Sequence, residues 1–180
     1  MENRIDSTLQ TLKLAGKTAL VPYVTIGFPD IKTSEALAAT VIDSGADMLE
    51  LGIPFSDPLA DGLTIQKTSF HALKQGVNVS TSLEVLQRLR DNGVQEPLLF
   101  MGYFNPFLSY GLEKLVGKAA EGGLDGIIVP DLPMEESGPF KELCEANNIH
   151  LIPLLAPTST DHRIAQACEQ ASGFIYFVSV

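Results

Sequence analysis

Short apolar runs alternate with longer amphipathic stretches along most of this chain. The runs at residues 19–25, 48–51, 98–102, 126–129, 151–155 and 174–178 are rich in branched and aromatic side chains and carry few polar positions. A strand covered on one face alternates apolar with polar residues, so runs this continuous predict strands buried on both faces. Between them, the stretches 34–44, 82–92, 111–121, 135–147 and 161–171 repeat their apolar residues at helical spacing. Such an order predicts the crossover helices of a parallel sheet. The junctions repeat as well: Gly45-Ala46-Asp47 precedes the second strand, Gly123-Leu124-Asp125 the fourth and Ser172-Gly173-Phe174 the sixth. A glycine at that place closes the preceding helix in the left-handed conformation.

Six strands with five or more helices leave two architectures, an open doubly wound sheet or part of an eight-stranded barrel. The first strand-to-helix turn, Thr25-Ile26-Gly27-Phe28-Pro29-Asp30, has one glycine where a dinucleotide fingerprint needs three, which argues against a Rossmann site. A full barrel takes about 250 residues, whereas 180 residues are present and the last of them, 174–180, form an apolar run with no helix after it. The expectation is a single incomplete TIM (β/α)8 barrel domain over residues 1–180, holding the first six β/α units.

Glu50 stands out because it lies near the C-terminal end of a strand, the end at which barrels keep their active sites. Alternation puts it on the side of Met48 and opposite Leu49 and Leu51, so its carboxylate points into the barrel mouth. Desolvation there raises the proton affinity of an acid, which suits a group that gives and takes a proton near neutral pH. The competing reading is a structural carboxylate held by a lysine or arginine. After Glu50 comes a segment, residues 52–62, whose two prolines and bounding glycines predict a loop. It carries Ile53, Phe55 and Leu59, and brings a second acid, Asp61, back towards the mouth; the alternative role for Asp61 is capping a helix that begins near Leu63.

Composition narrows the partners. With 22 acidic against 12 basic residues and a net charge of -10, the chain offers no basic surface for nucleic acid or an anionic membrane. The opening residues 1–6 contain no apolar signal core, and no stretch approaches the roughly 20 apolar residues of a membrane span, so a cytoplasmic protein is expected. Cys144 and Cys168 lack metal or redox spacing and are expected as reduced, half-buried thiols. His71, His150 and His162 are scattered, so a metal site built on Glu50, Asp57, Asp61 and Asp131 is disfavoured. A Schiff-base aldolase would need a lysine inside a strand, and residues 174–180 contain none.

The run Glu50-Leu51-Gly52-Ile53-Pro54-Phe55-Ser56-Asp57-Pro58-Leu59-Ala60-Asp61-Gly62 resembles the signature of the tryptophan synthase alpha subunit family. The turn Tyr23-Val24-Thr25-Ile26-Gly27-Phe28-Pro29 and the stretches Met101-Gly102-Tyr103-Phe104-Asn105-Pro106, Val129-Pro130-Asp131-Leu132-Pro133 and Leu155-Ala156-Pro157-Thr158 follow in the family's order. This resemblance implies a lyase that splits indole-3-glycerol phosphate into indole and glyceraldehyde 3-phosphate, with Glu50 as general acid and base and Asp61 paired to the indole nitrogen. It implies an indole slot of Tyr23, Ile128, Pro130, Leu154 and Tyr176. It further implies an alpha2-beta2 heterotetramer, met through Pro54, Phe55, Asp57, Pro58, Phe104, Asn105 and Phe107. The alpha chain is expected to hold no cofactor and no metal, pyridoxal phosphate being confined to the beta subunit. In this fold phosphate is held by loops after strands seven and eight, so 180 residues alone are expected to bind substrate poorly. A chain that only docks on the beta subunit is the alternative.

Overall fold

The computed structural model describes residues 2–178. Its elements, in chain order, are α1 (Arg4–Leu14), β1 (Tyr23–Thr25), α2 (Ile31–Asp43), β2 (Leu49–Gly52), α3 (Leu63–Lys74), α4 (Val79–Asp91), β3 (Leu98–Met101), α5 (Phe104–Tyr110), α6 (Leu112–Glu121) and β4 (Gly126–Ile128). A 3-10 turn at Met134–Glu136 follows, then α7 (Gly138–Ala146), β5 (His150–Ile152), β6 (Leu154–Leu155), α8 (Asp161–Gln170) and β7 (Tyr176–Phe177). Every expected strand and helix is present, the strands mostly shorter than the apolar runs that announced them and β2 shifted one residue on.

Strand order decides between the two architectures. β1 to β5 pair in parallel and in sequence, and β6 pairs in parallel with β7. Doubly wound sheets reverse direction at a switch point; this one never does. β5 and β6 are separated by Pro153 alone, which has no amide hydrogen to give to a ladder, yet its carbonyl still accepts from Tyr176 N at 2.9 Å. The two pieces therefore act as one fifth strand, with β4 on one side and β7 on the other. Six consecutive strands of a TIM (β/α)8 barrel result, the first five each followed by a helix, and β1 and β7 each have one strand neighbour among the described residues.

The two faces of the sheet bury different sets. Leu49, Leu51, Phe100, Ile127 and Leu151 point outward and pack beneath the helices in one large cluster. Met48, Leu99, Ile128 and Ile152 point inward and fill the barrel, joined by Ile5 from α1. Alternation along each strand produces this division, and it puts Glu50 on the inner side as its position relative to Leu49 and Leu51 requires.

The repeated junctions do more than end helices. Gly45, Gly123 and Gly173 hold φ of 104°, 76° and 74°, values that side chains with a Cβ rarely adopt. Two residues after the first pair comes an aspartate that pins the neighbouring strand. Asp47 Oδ2 accepts from Leu20 N at 2.7 Å just before β1, and Asp125 Oδ2 accepts from Leu98 N at 2.9 Å at the start of β3.

The thiols part company. Cys144 is buried, its proton affinity pushed up to about 12 by burial, while Cys168 is exposed. The expectation of two half-buried thiols is thereby corrected: Cys144 lies on the inward face of α7, whereas in α8 Ala167 turns inward and Cys168 outward.

Candidate functional site

Inside the rim, at the C-terminal ends of the strands, lies a cavity of about 580 Å³ lined by Glu50, Asp61, Tyr23, Pro130, Leu154 and Tyr176. Glu50 sits in β2 between Tyr23 of β1 and Leu99 of β3, by Cα register. Only 6% of the residue is exposed. Desolvation by burial raises its proton affinity from the ordinary 4.5 to about 7, and none of the ion pairs among the described residues involves it. The reading as a carboxylate locked to a lysine or arginine is therefore excluded for the described residues.

Asp61 reaches the same cavity from the loop after β2. It is not the cap of α3: the helix starts at Leu63, Gly62 stands at the N-cap position and no side chain caps it. That frees the Asp61 carboxylate. Burial raises its proton affinity, and a hydrogen bond from the Tyr103 hydroxyl works in the opposite direction. Both acids thus move upward, but Glu50 faces desolvation unopposed whereas Asp61 has a donor. Their environments differ in the sense that divides a proton-transfer group from a charged acceptor.

The loop that carries Asp61 is tied down at two points. Ser69 of α3 accepts from Phe55 N at 2.8 Å and donates to Phe55 O at 3.1 Å. Tyr103 accepts from Ala60 N at 2.9 Å through its hydroxyl, and its ring lies 5.1 Å from that of Phe55. Gly52 ends β2 without a side chain for a visible reason: a Cβ there would lie 1.9 Å from the Tyr23 hydroxyl. Tyr23 can lie across β2 beside Glu50 only because that carbon is missing. Desolvation holds the Tyr23 hydroxyl up at about 12, so it is a neutral donor over the whole physiological range.

Four of the five residues expected around an indole line the cavity; Ile128 does not. It is fully buried in the inner apolar cluster, level with its register partners Met101 and Ile152. Met101 and Ile152, which sequence reasoning did not single out, take part in the wall instead. Both lie on the inward face, two residues from Leu99 and from Leu154 respectively, so the period of two was the available signal.

The face expected to meet a partner is less apolar than the sequence suggested. Phe107 is 0% exposed, its ring tip packed where a Cβ on Gly102 would lie at 2.8 Å, so it cannot contact another chain and is corrected to a core residue. Pro54 and Pro58 are buried, Phe55 and Phe104 half-buried, and Asp57 and Asn105 exposed. Phe104 packs against Phe140, and its amide donates to Asp131 at 2.9 Å. Leu59, 92% exposed, is the apolar residue the loop does present.

No group of three or more metal-ligating side chains occurs among the described residues. His71 stacks edge-on against Phe28, and His150 pairs with Asp6 at 2.8 Å. No helix among the described residues is long and apolar enough to cross a membrane.

A family model described as tryptophan synthase alpha chain matches residues 9–180. The chain is 47% identical over 178 residues to the tryptophan synthase alpha chain of Roseiflexus sp. (strain RS-1), covering 99% of this chain and 68% of that one. It is 44% identical over 179 residues to the alpha chain of Clostridium acetobutylicum, of which it spans 67%. The crystal structure of tryptophan synthase subunit alpha from Legionella pneumophila str. Paris superposes with a TM-score of 0.96 at 37% identity, over 99% of this chain and 68% of that one. The chain belongs to the tryptophan synthase alpha chain family.

Proposed function

We propose that this chain cleaves indole-3-glycerol phosphate to indole and glyceraldehyde 3-phosphate with Glu50 as the proton-transfer group and Asp61 as the partner of the indole nitrogen. The reading rests above all on an acid that is 6% exposed, has no cationic partner, is raised to about 7, and looks into an apolar cavity shared with a second carboxylate.

Retro-aldol cleavage requires a proton on indole C3, which makes the ring cationic, and loss of the proton from the side-chain hydroxyl as the carbon-carbon bond breaks. At a proton affinity near neutrality Glu50 exists in both forms, so it can deliver the first proton and take up the second, ending as it began. Asp61, accepting a hydrogen bond from the ring N–H, stabilises the cation between those steps. Tyr23, Pro130, Leu154 and Tyr176 supply the walls of the indole slot, and Ile128 packs behind them in the inner apolar cluster. No cofactor enters these steps; pyridoxal phosphate belongs to the beta subunit, with which the chain assembles in the cytoplasm as an alpha2-beta2 heterotetramer.

Docking on that subunit uses the rim loops: Asp57 and Asn105 as exposed polar contacts, Phe55 and Phe104 through their half-open faces, and Pro54 and Pro58 as the buried struts that shape the loop. The test is indole release from indole-3-glycerol phosphate with the beta subunit present. Glu50→Gln should abolish release while leaving assembly intact; undiminished release would overturn the assignment, and a chain that merely docks would show no difference.

A further inference from the structure

The bottom of the barrel, opposite the cavity, is closed from outside the sheet by α1, whose Ile5 and Leu9 pack on the inner cluster. Ile5, in the first turn of α1, is 0% exposed and belongs to the inner cluster with Met48, Leu99, Ile128 and Ile152. Its socket is cut by two glycines. A Cβ on Gly126 would lie 3.0 Å from Ile5 Cδ1 and 3.0 Å from Leu99 Cδ2, and one on Gly173 would lie 3.2 Å from Ile5 Cγ2. Leu99 is in turn the strand neighbour of Glu50. One side chain therefore separates the plug from the acid.

Three polar residues at the start of α1 hold the plug in place. Asn3 caps α1 by accepting from Ile5 N at 2.9 Å, and its amide donates to the carbonyls of Asp125 and Asn148 at 2.9 and 2.8 Å. Arg4 donates to Asp125 Oδ1 at 2.9 Å, and Asp6 pairs with His150 at 2.8 Å. The titratable groups that do face Glu50 come from the other end: Tyr23 of β1, Tyr176 of β7 and Asp61 of the loop. Below Glu50 the inner cluster holds Met48, Leu99, Ile128, Ile152 and Ile5; a titratable ring beside the plug is His150, whose Cδ2 would lie 3.0 Å from a Cβ on Gly173 and which is paired with Asp6.

We propose that Ile5 closes the barrel floor against water and is thereby a positioning residue for proton transfer, fixing from the far end the dry surroundings in which the Glu50 carboxyl works. The proposal rests on reading Glu50 as the proton-transfer group. Emptying the Ile5 socket leaves a void beside Leu99 for water to enter. A merely structural Ile5 would lower stability when truncated and leave the acid's titration where it was.

The experiment reads the carboxyl itself. In chain labelled with ¹³C at glutamate side-chain carboxyls, the Glu50 resonance is identified by its loss in Glu50→Gln and followed against pH. Ile5→Ala is expected to move the midpoint down by about one pH unit or more as water enters, while Ile5→Leu, which refills the socket, leaves it in place. An unmoved midpoint in folded Ile5→Ala, with native circular dichroism, overturns the proposal. Should Ile5→Ala not fold, Ile5→Val decides: a smaller shift in the same direction supports the floor, and none overturns it. Because this titration registers the carboxyl whether or not it moves protons in catalysis, failure here is distinct from failure of Glu50→Gln to stop indole release.

Discussion

Two buried acids sit at opposite ends of the same sheet and are treated in opposite ways. Asp125, 3% exposed at the bottom, accepts from Arg90 at 2.6 Å, from Arg4 at 2.9 Å and from Leu98 N at 2.9 Å. Glu50, 6% exposed at the top, has no ion pair among the described residues and opens on a cavity. Burial is nearly equal, so burial does not mark the functional acid. What marks it is burial without compensation beside a space that a ligand can fill: a satisfied acid holds the fold together, and an unsatisfied one is left ready to exchange a proton.

The comparison is broken most directly at Glu50. Glu50→Gln keeps the shape and removes the exchangeable proton, and general acid and base roles are worth about 10²–10⁴ in rate. Indole release should fall by at least that factor, with the thermal midpoint unchanged or raised, since an uncompensated buried charge is gone. A loss of stability alongside the loss of rate would make Glu50 a second Asp125.

Asp125→Asn should do the reverse. It leaves the Arg90 guanidinium, 10% exposed along its side chain, without its anionic partner, and breaking a buried pair from one side costs about 3–5 kcal/mol. Burial already lowers the proton affinity of Arg90 to about 10, with Asp125 the leading influence that opposes it. Urea denaturation should show the loss in the midpoint. Any catalytic effect should come through α1, since Arg4 shares the same carboxylate.

The same contrast gives a sign to the pH dependence of stability. Glu50 holds its proton more tightly folded, at about 7, than at its ordinary 4.5. A group raised in this way contributes most below its unfolded value, and its contribution falls as pH rises to the folded one. Between pH 4.5 and 7 the wild type should therefore lose on the order of 3 kcal/mol relative to Glu50→Gln. A flat difference across that window would mean the acid is compensated after all.

How far the two ends were readable from sequence differs for the same physical reason. The placement of Glu50 followed from alternation within one short strand, with Met48 on its side and Leu49 and Leu51 on the other, and local periodicity is visible in a single chain. Asp61 carried two readings because an aspartate one residue before a helix cap can serve either role; the structure chose when Gly62 took the cap position. The floor was invisible. Ile5 lies in a helix with one buried residue, too little for an apolar stripe, and its contacts with Gly126 and Gly173 span more than 100 residues. α5 was missed because Phe104-Asn105-Pro106-Phe107 reads as loop, and Phe107 was assigned to the surface because nothing local says that its ring turns under Gly102. Asp125 stood in plain view in the second Gly-x-Asp junction, yet that pattern was read only as a helix end. Its partner amide, Leu98 N, lies a whole β/α unit earlier.

The finest test uses two arginines two residues apart on α4. Arg90 turns inward to Asp125 at 2.6 Å, while Arg88 turns outward to Glu35 of α2 at 2.7 Å with its side chain 43% exposed. The distances are all but equal, so Coulomb's law in a uniform medium would rank the pairs together. Water separates them: near the surface an ion pair is screened and is worth about 0–1 kcal/mol, whereas the buried guanidinium has no solvent to fall back on. Glu35→Gln should therefore shift the urea midpoint by a small fraction of what Asp125→Asn does. If the two substitutions cost the same, geometry and not surroundings governs these pairs, and the lack of a cationic partner at Glu50 would no longer distinguish it as the reactive acid.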